Sequence, residues 1–155
     1  MNWKTPHIIK IYEALWALAD TRIEVIGNTA KVYSSSRWKY YEVIYDPEKQ
    51  ALMCNDNASY YNETLGYPAI TFLIEIWVFD KNQSFDTLLR DISWKDINQK
   101  NNNDYEKTCE YVYSLVEQRW WNRDNLIDYA SWFLQHIKDH PFWFLGQKIK
   151  PPDWY

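Results

Sequence analysis

The chain predicts an α+β fold: a small antiparallel β-meander of three or four strands, an N-terminal helix, a central buried helix and a C-terminal helical pair. Three observations carry this. Hydrophobic spacing follows the helical period over residues 5–20, changes to the strand period over 22–54, and returns to the helical period from 67 onward. The longest apolar run, 69–79, has only Thr71 and Glu75 as polar residues, which places it at the centre of a core. The chain has 155 residues, 46% of them hydrophobic, enough for one domain around one core, and no composition shift marks a boundary within it.

Segment 5–20 opens on Thr5-Pro6, a cap followed by proline at the first helical position. Ile8, Ile11, Tyr12, Leu15, Leu18 and Ala19 then recur at helical spacing, with Lys10, Glu13 and Ala17 opposite. Across the meander, 22–26, 30–34, 38–45 and 51–54 read as short strands. Their turns are Gly27-Asn28, the looser 34–37, and Asp46-Pro47-Glu48-Lys49. In the third strand Trp38, Tyr40, Glu42 and Ile44 share one face; Lys39, Tyr41, Val43 and Tyr45 share the other.

Asn55-Asp56-Asn57 supplies a turn. Segment 67–79 is expected as a helix because Pro68 suits a first helical turn and the run is long for a strand, although its Ile, Val, Phe and Trp would also suit a buried strand. Helices are expected over 85–138: a short one at 85–92, a long one opened by Asn103 and Glu106, and a last one capped by Asn122 or Asp124. Leu126, Ala130, Phe133, Leu134 and Ile137 form the buried stripe of that last helix, and Pro141 stops it. The tail, 139–155, is too apolar to float free and is expected to dock on the body.

Several chemistries are excluded. Three glycines are too few, and too far apart, for a phosphate-cradling loop or a dinucleotide fingerprint. No Ser nucleophile elbow can be written. His136 and His140 stand four apart, as two metal ligands on a helix would, but Ile137 occupies the place where a metalloprotease needs glutamate. They are read as surface histidines, so neither metal nor cofactor is expected and no catalytic residue is assigned. Glu75 is read as lying on the wet edge of its helix or pairing with a base. No apolar stretch is long enough to span a membrane, and with no export signal the two cysteines are expected to be reduced thiols in the cytoplasm.

What stands out is 10 Trp, 13 Tyr and 6 Phe, more rings than a core of this size holds. Surplus Trp and Tyr mark binding surfaces. The expected function is therefore a non-enzymatic binding module for a protein partner, or for self-association, through a patch of Trp120, Trp121, Tyr129 and Trp132, extended by Trp143 and Trp154. Rigid aromatics of this kind are also favoured in selected paratopes. Nucleic acid is the alternative partner, since Arg37, Trp38, Lys39, Tyr40 and Tyr41 interleave charge and rings as single-strand binders do. The net charge of −4 opposes it. A third reading, a small enzyme, would place its site at Asp56 with Ser59, Tyr60 and Tyr61, beside the start of the central helix.

Two stretches resemble SWIM-type zinc-finger domains. Residues 41–45 and 51–54 resemble that family's strand pair, and Leu65-Gly66-Tyr67-Pro68 with the apolar run resembles the element that opens its helix. Cys54 matches the first ligand position, whereas Asp56, Ala69 and Thr71 stand at the other three. The resemblance therefore implies a zinc-less relative, and implies DNA or protein binding as its role. The wider layout, with Asn55-Asp56-Asn57, Gly66-Tyr67-Pro68 and Trp94-Lys95-Asp96-Ile97-Asn98, looks like small uncharacterised archaeal proteins.

Overall fold

Helix α1, Ile9–Ala19, runs through the middle of the molecule with ten of its eleven residues buried. Its amphipathic pattern predicts one dry face, but Glu13 and Ala17 on the opposite side are buried as well. The reason is that α1 is packed from several directions: by α3, Tyr67–Glu75, by α4, Gln83–Leu88, and by α7, Arg123–Asp139. The computed structural model describes residues 1–153, apart from the side chains of Gln83 and Asp86; Trp154, part of the expected patch, lies outside the described residues.

The helix starts later than 5–20 implies. Thr5-Pro6 does not cap it; the first turn begins at Ile9, whose N–H donates to His7 Nδ1 at 3.1 Å. Residues before it are drawn elsewhere, Asn2 bridging to Trp143 and Lys4 to Thr64.

The sheet has five strands in the order β1-β2-β3-β4-β5, one more than the meander expected. Strands β1 (Ile23–Ile26), β2 (Thr29–Tyr33), β3 (Tyr40–Asp46) and β4 (Ala51–Cys54) pair antiparallel in sequence order. The fifth, β5, Trp143–Phe144, comes from the tail and pairs parallel with β4. The third strand begins at Tyr40, not at 38, because 34–39 is occupied by the loop in which Arg37 takes φ 62°. Alternation sorts the faces: Ala30 opposite Val43 and Val32 opposite Tyr41 are buried, while Lys31 opposite Glu42 looks outward.

Residue 69 onward forms a helix, but α3 ends at Glu75 rather than at 79. Ile76 closes the last turn and Trp77, at φ 64°, turns the chain so that Phe79 drops back into the core. Pro68 lies in the first turn, with Gly66 as its extended N-cap. A short helix, α2, Asn57–Asn62, replaces the bare turn expected there. The expected 85–92 helix is α4, shifted toward the N-terminus by Asn82, whose side chain accepts from the Ser84 N–H. A further helix, α5, Trp94–Lys100, lies within the helical range 85–138 but is not one of the three helices expected there. Helix α6, Tyr105–Gln118, is capped not by Asn103 but by Asp104, which accepts from the N–H groups of Glu106 and Lys107. Asn122 caps α7 through the Asp124 N–H.

The tail closes the fold. Phe142 is 1% exposed, edge-on to Tyr45 and Phe79. Trp3 donates its indole N–H to Leu52 O at 2.9 Å and packs on Phe144 at 4.1 Å. A Cβ added at Gly66 would stand 1.9 Å from Asp56 Oδ2, and Asp56 is itself held by the Ser59 hydroxyl. Gly66→Ala is thus expected to destabilise the fold by about 1–3 kcal/mol in urea unfolding, because the carboxylate must leave a filled position. An unchanged midpoint would show that Asp56 swings aside freely.

Candidate functional site

The corner between α6 and α7 is built by a tryptophan where glycine is usual. Trp120 follows the C-cap of α6 with φ 66°, its N–H donating to Glu117 O at 3.0 Å, while Trp121 N–H reaches Val116 O at 3.1 Å. With its backbone so fixed, the Trp120 side chain is 97% exposed. Its neighbours are not free in this way. Trp121 packs on Phe85 at 5.4 Å, and Phe85 stacks on Tyr129 at 4.3 Å. The Tyr129 hydroxyl donates to Asp80 O and accepts from the Asn82 N–H, fastening the segment between α3 and α4 to α7. Trp132, 41% exposed, lies edge-on to Phe79 and leans on His136.

Of the residues singled out in the sequence, Trp121, Tyr129 and Trp132 thus share one line of rings along α7, with Trp120 at its corner. Trp38 and Tyr40 belong to a different place, at the β2–β3 loop. Trp38 is 86% exposed, and Tyr40 packs against Tyr33 and under the Lys31 ammonium. In the same run, Arg37 donates to Asp20 O at 2.7 Å and Tyr41 is buried, so charge and rings do not form one open strip. Trp143 is half-exposed on β5. The His136 and His140 rings lie 4.9 Å apart, tilted by 43°; burial first, then the neighbouring His140, holds His136 below its ordinary value. Among the described residues no three His, Cys, Asp or Glu side chains converge as metal ligands.

Asp56 is 5% exposed, and its charge reaches Tyr41 and Glu13, which line a second feature, a cleft between α1, the β2–β3 loop and α5. The cavity there measures about 280 Å³ and is lined by Glu13, Trp16, Tyr41, Tyr67 and Trp94, with Ser34, Ser35, Lys39 and Lys95 around it. Lys10 Nζ stands 3.1 Å from Glu13 Oε2. Burial nevertheless pushes the Glu13 carboxyl above its ordinary range, with Lys10 opposing. Arg22, 1% exposed, lies over the Trp16 ring at 4.3 Å and donates to Tyr33 O at 2.6 Å. Burial also raises the Tyr41 hydroxyl and the Cys54 thiol, and the charge of Asp56 adds to both. Cys54 is therefore a neutral buried thiol, with no metal-ligand group assembled around it among the described residues.

Glu13, Arg22 and Trp94 escape a reading by motif because they lie on three separate segments. One signal was present: Glu13 is an acid within Ile11-Tyr12-Glu13-Ala14-Leu15-Trp16, as Glu75 is within its own run. Glu75 lies at the wet edge, 2.8 Å from Lys81, and Glu13 is the buried one.

Residues 3–142 match the model of the family described as Uncharacterised conserved protein UCP014422, and the chain belongs to that family. No curated protein and no solved structure matches the chain.

Burial of Glu13 sets the sign of a pH effect. In the unfolded chain its carboxyl titrates near ~4.3, and in the fold it titrates higher, so folding favours the proton. That contribution is complete below the unfolded value and is lost as pH rises through the folded one. The stability of the wild type relative to Glu13→Gln is therefore expected to fall as pH rises above about 4.3, measured by urea unfolding at stepped pH. A difference that stays flat or grows with pH would contradict a penalised carboxylate.

Proposed function

We propose that this family member is a non-enzymatic binding module that engages a protein partner through the Trp120 corner. The observation that carries the reading is a tryptophan 97% exposed on a backbone at φ 66°. That conformation costs a residue with a Cβ about 1 kcal/mol, and a fully solvated indole adds an unfavourable apolar surface. The hydrogen bonds that close α6 offset the backbone cost, but nothing among the described residues covers the ring, whereas a partner would. Trp121, next in the chain, is packed on Phe85, which stacks on Tyr129, so the segment that presents Trp120 is anchored, the arrangement in which Trp and Tyr act as hot spots. For nucleic acid, the pinning of Arg37 and the burial of Tyr41 leave less to build on.

Trp120→Gly separates binding from folding. Glycine suits the left-handed backbone, so this variant is expected to be as stable as the wild type or more stable by up to about 1 kcal/mol. Crosslinking in cells that express the protein is expected to yield a discrete adduct with the wild type and with Trp38→Ala, and to lose it with Trp120→Gly. Light scattering distinguishes self-association, which would appear as a wild-type dimer converted to monomer by the same substitution. An adduct pattern unaltered by Trp120→Gly overturns the proposal.

A further inference from the structure

The cavity floored by Glu13 offers bonding capacity that the fold leaves unused. Glu13, 8% exposed, lines the cavity and accepts through Oε2 from Lys10. Trp94, 2% exposed, has no partner for its indole N–H among the described residues. A buried polar group left unpaired costs about 1–3 kcal/mol, so an unpaired indole donor in the wall of a cavity that also holds a carboxyl group marks a place shaped for something else.

We infer that this cavity binds a small amino-carboxylate of the size of an α-amino acid, its ammonium on Glu13 and its carboxylate toward Trp94, Lys39 and Lys95. Three features select that class. The order of charge is an acid on the buried floor and two lysines among the outer residues, matching a ligand that carries both signs. Trp16, Tyr41 and Tyr67 supply aromatic walls, which suit both an ammonium group and an apolar side chain. The volume of about 280 Å³ lies at the lower end for small-molecule sites and leaves no room for a nucleotide. A simple carboxylate would face Glu13 unpaired, and a simple amine would leave both the lysines and Trp94 unanswered.

The indole N–H of Trp94 reports the site directly in ¹⁵N-edited NMR, with Trp94→Phe identifying its signal. L-phenylalanine and L-leucine are expected to shift this signal saturably, at least about tenfold more tightly than phenethylamine or 3-phenylpropionate. Glu13→Gln should abolish the preference for L-phenylalanine over 3-phenylpropionate. Lys95→Met, at an exposed position, should reduce the preference over phenethylamine. Trp120→Gly should leave the titration unchanged, so this site stands or falls apart from protein docking. The inference is overturned if no compound gives a saturable shift up to about 10 mM, if all respond alike, or if both charge variants keep the wild-type preferences.

Discussion

A helix buried on nearly every side must neutralise whatever charge its sequence brings with it, and the rest of this molecule is arranged to meet that condition for α1. Glu13 enters the interior because α1 is enclosed by α3, α4 and α7. Lys10 follows on the same helix to oppose it at 3.1 Å, and Lys10 itself remains charged partly because Glu13 is there. Arg22, just past the helix, is held by the Trp16 ring and by backbone oxygen rather than by water. A carboxylate dried without full pairing is poor design for stability alone. It is reasonable design where a ligand supplies the missing bonds.

The abundance of rings has a second explanation beside binding. Several act as struts, with an apolar body in the core and a polar tip closing a bond that spans the chain. Tyr12 and Tyr113 share a hydroxyl–hydroxyl bond at 2.8 Å between α1 and α6. Trp3 reaches Leu52 O from the chain's beginning, and Tyr129 fastens the segment after α3. Each brings large buried area together with a satisfied polar atom, which lets a domain with few glycines join distant segments without tight turns. The rings left fully wet, Trp120 and Trp38, are distinguished from these by having no such task.

The meander was legible because alternation is a local signal: Ala30, Val32, Tyr41 and Val43 declare their inward face within two strands. The central helix was legible from Pro68 and the apolar run, and the cap at Asn122 from its side chain. Other parts depend on information that no local window holds. Strand β5 is two residues long, and only the N-terminal segment and β4 make it a strand. Helix α5 is rich in polar residues and has Trp94 as its buried anchor. The cleft draws Glu13, Tyr67 and Trp94 from segments more than twenty residues apart, so its character arises only when α1, α3 and α5 are packed. Trp120 was named as a surface ring, but its left-handed backbone follows from how α6 ends, which composition does not show.

Parallel pairing of β5 with β4, beside the bridges from Asn2 and Lys4, has a consequence for biosynthesis. Residues 1–3 are made long before 142–144, with which they form their backbone contacts, whereas Lys4 finds its partners at 63–65. Throughout translation, α1 has no finished enclosure, since α7 is also made late. The nascent chain must therefore carry this almost fully buried helix in a provisional state, with closure arriving as a late event of high contact order. Until 142–145 and α7 are in place, the emerging chain depends on protection from aggregation.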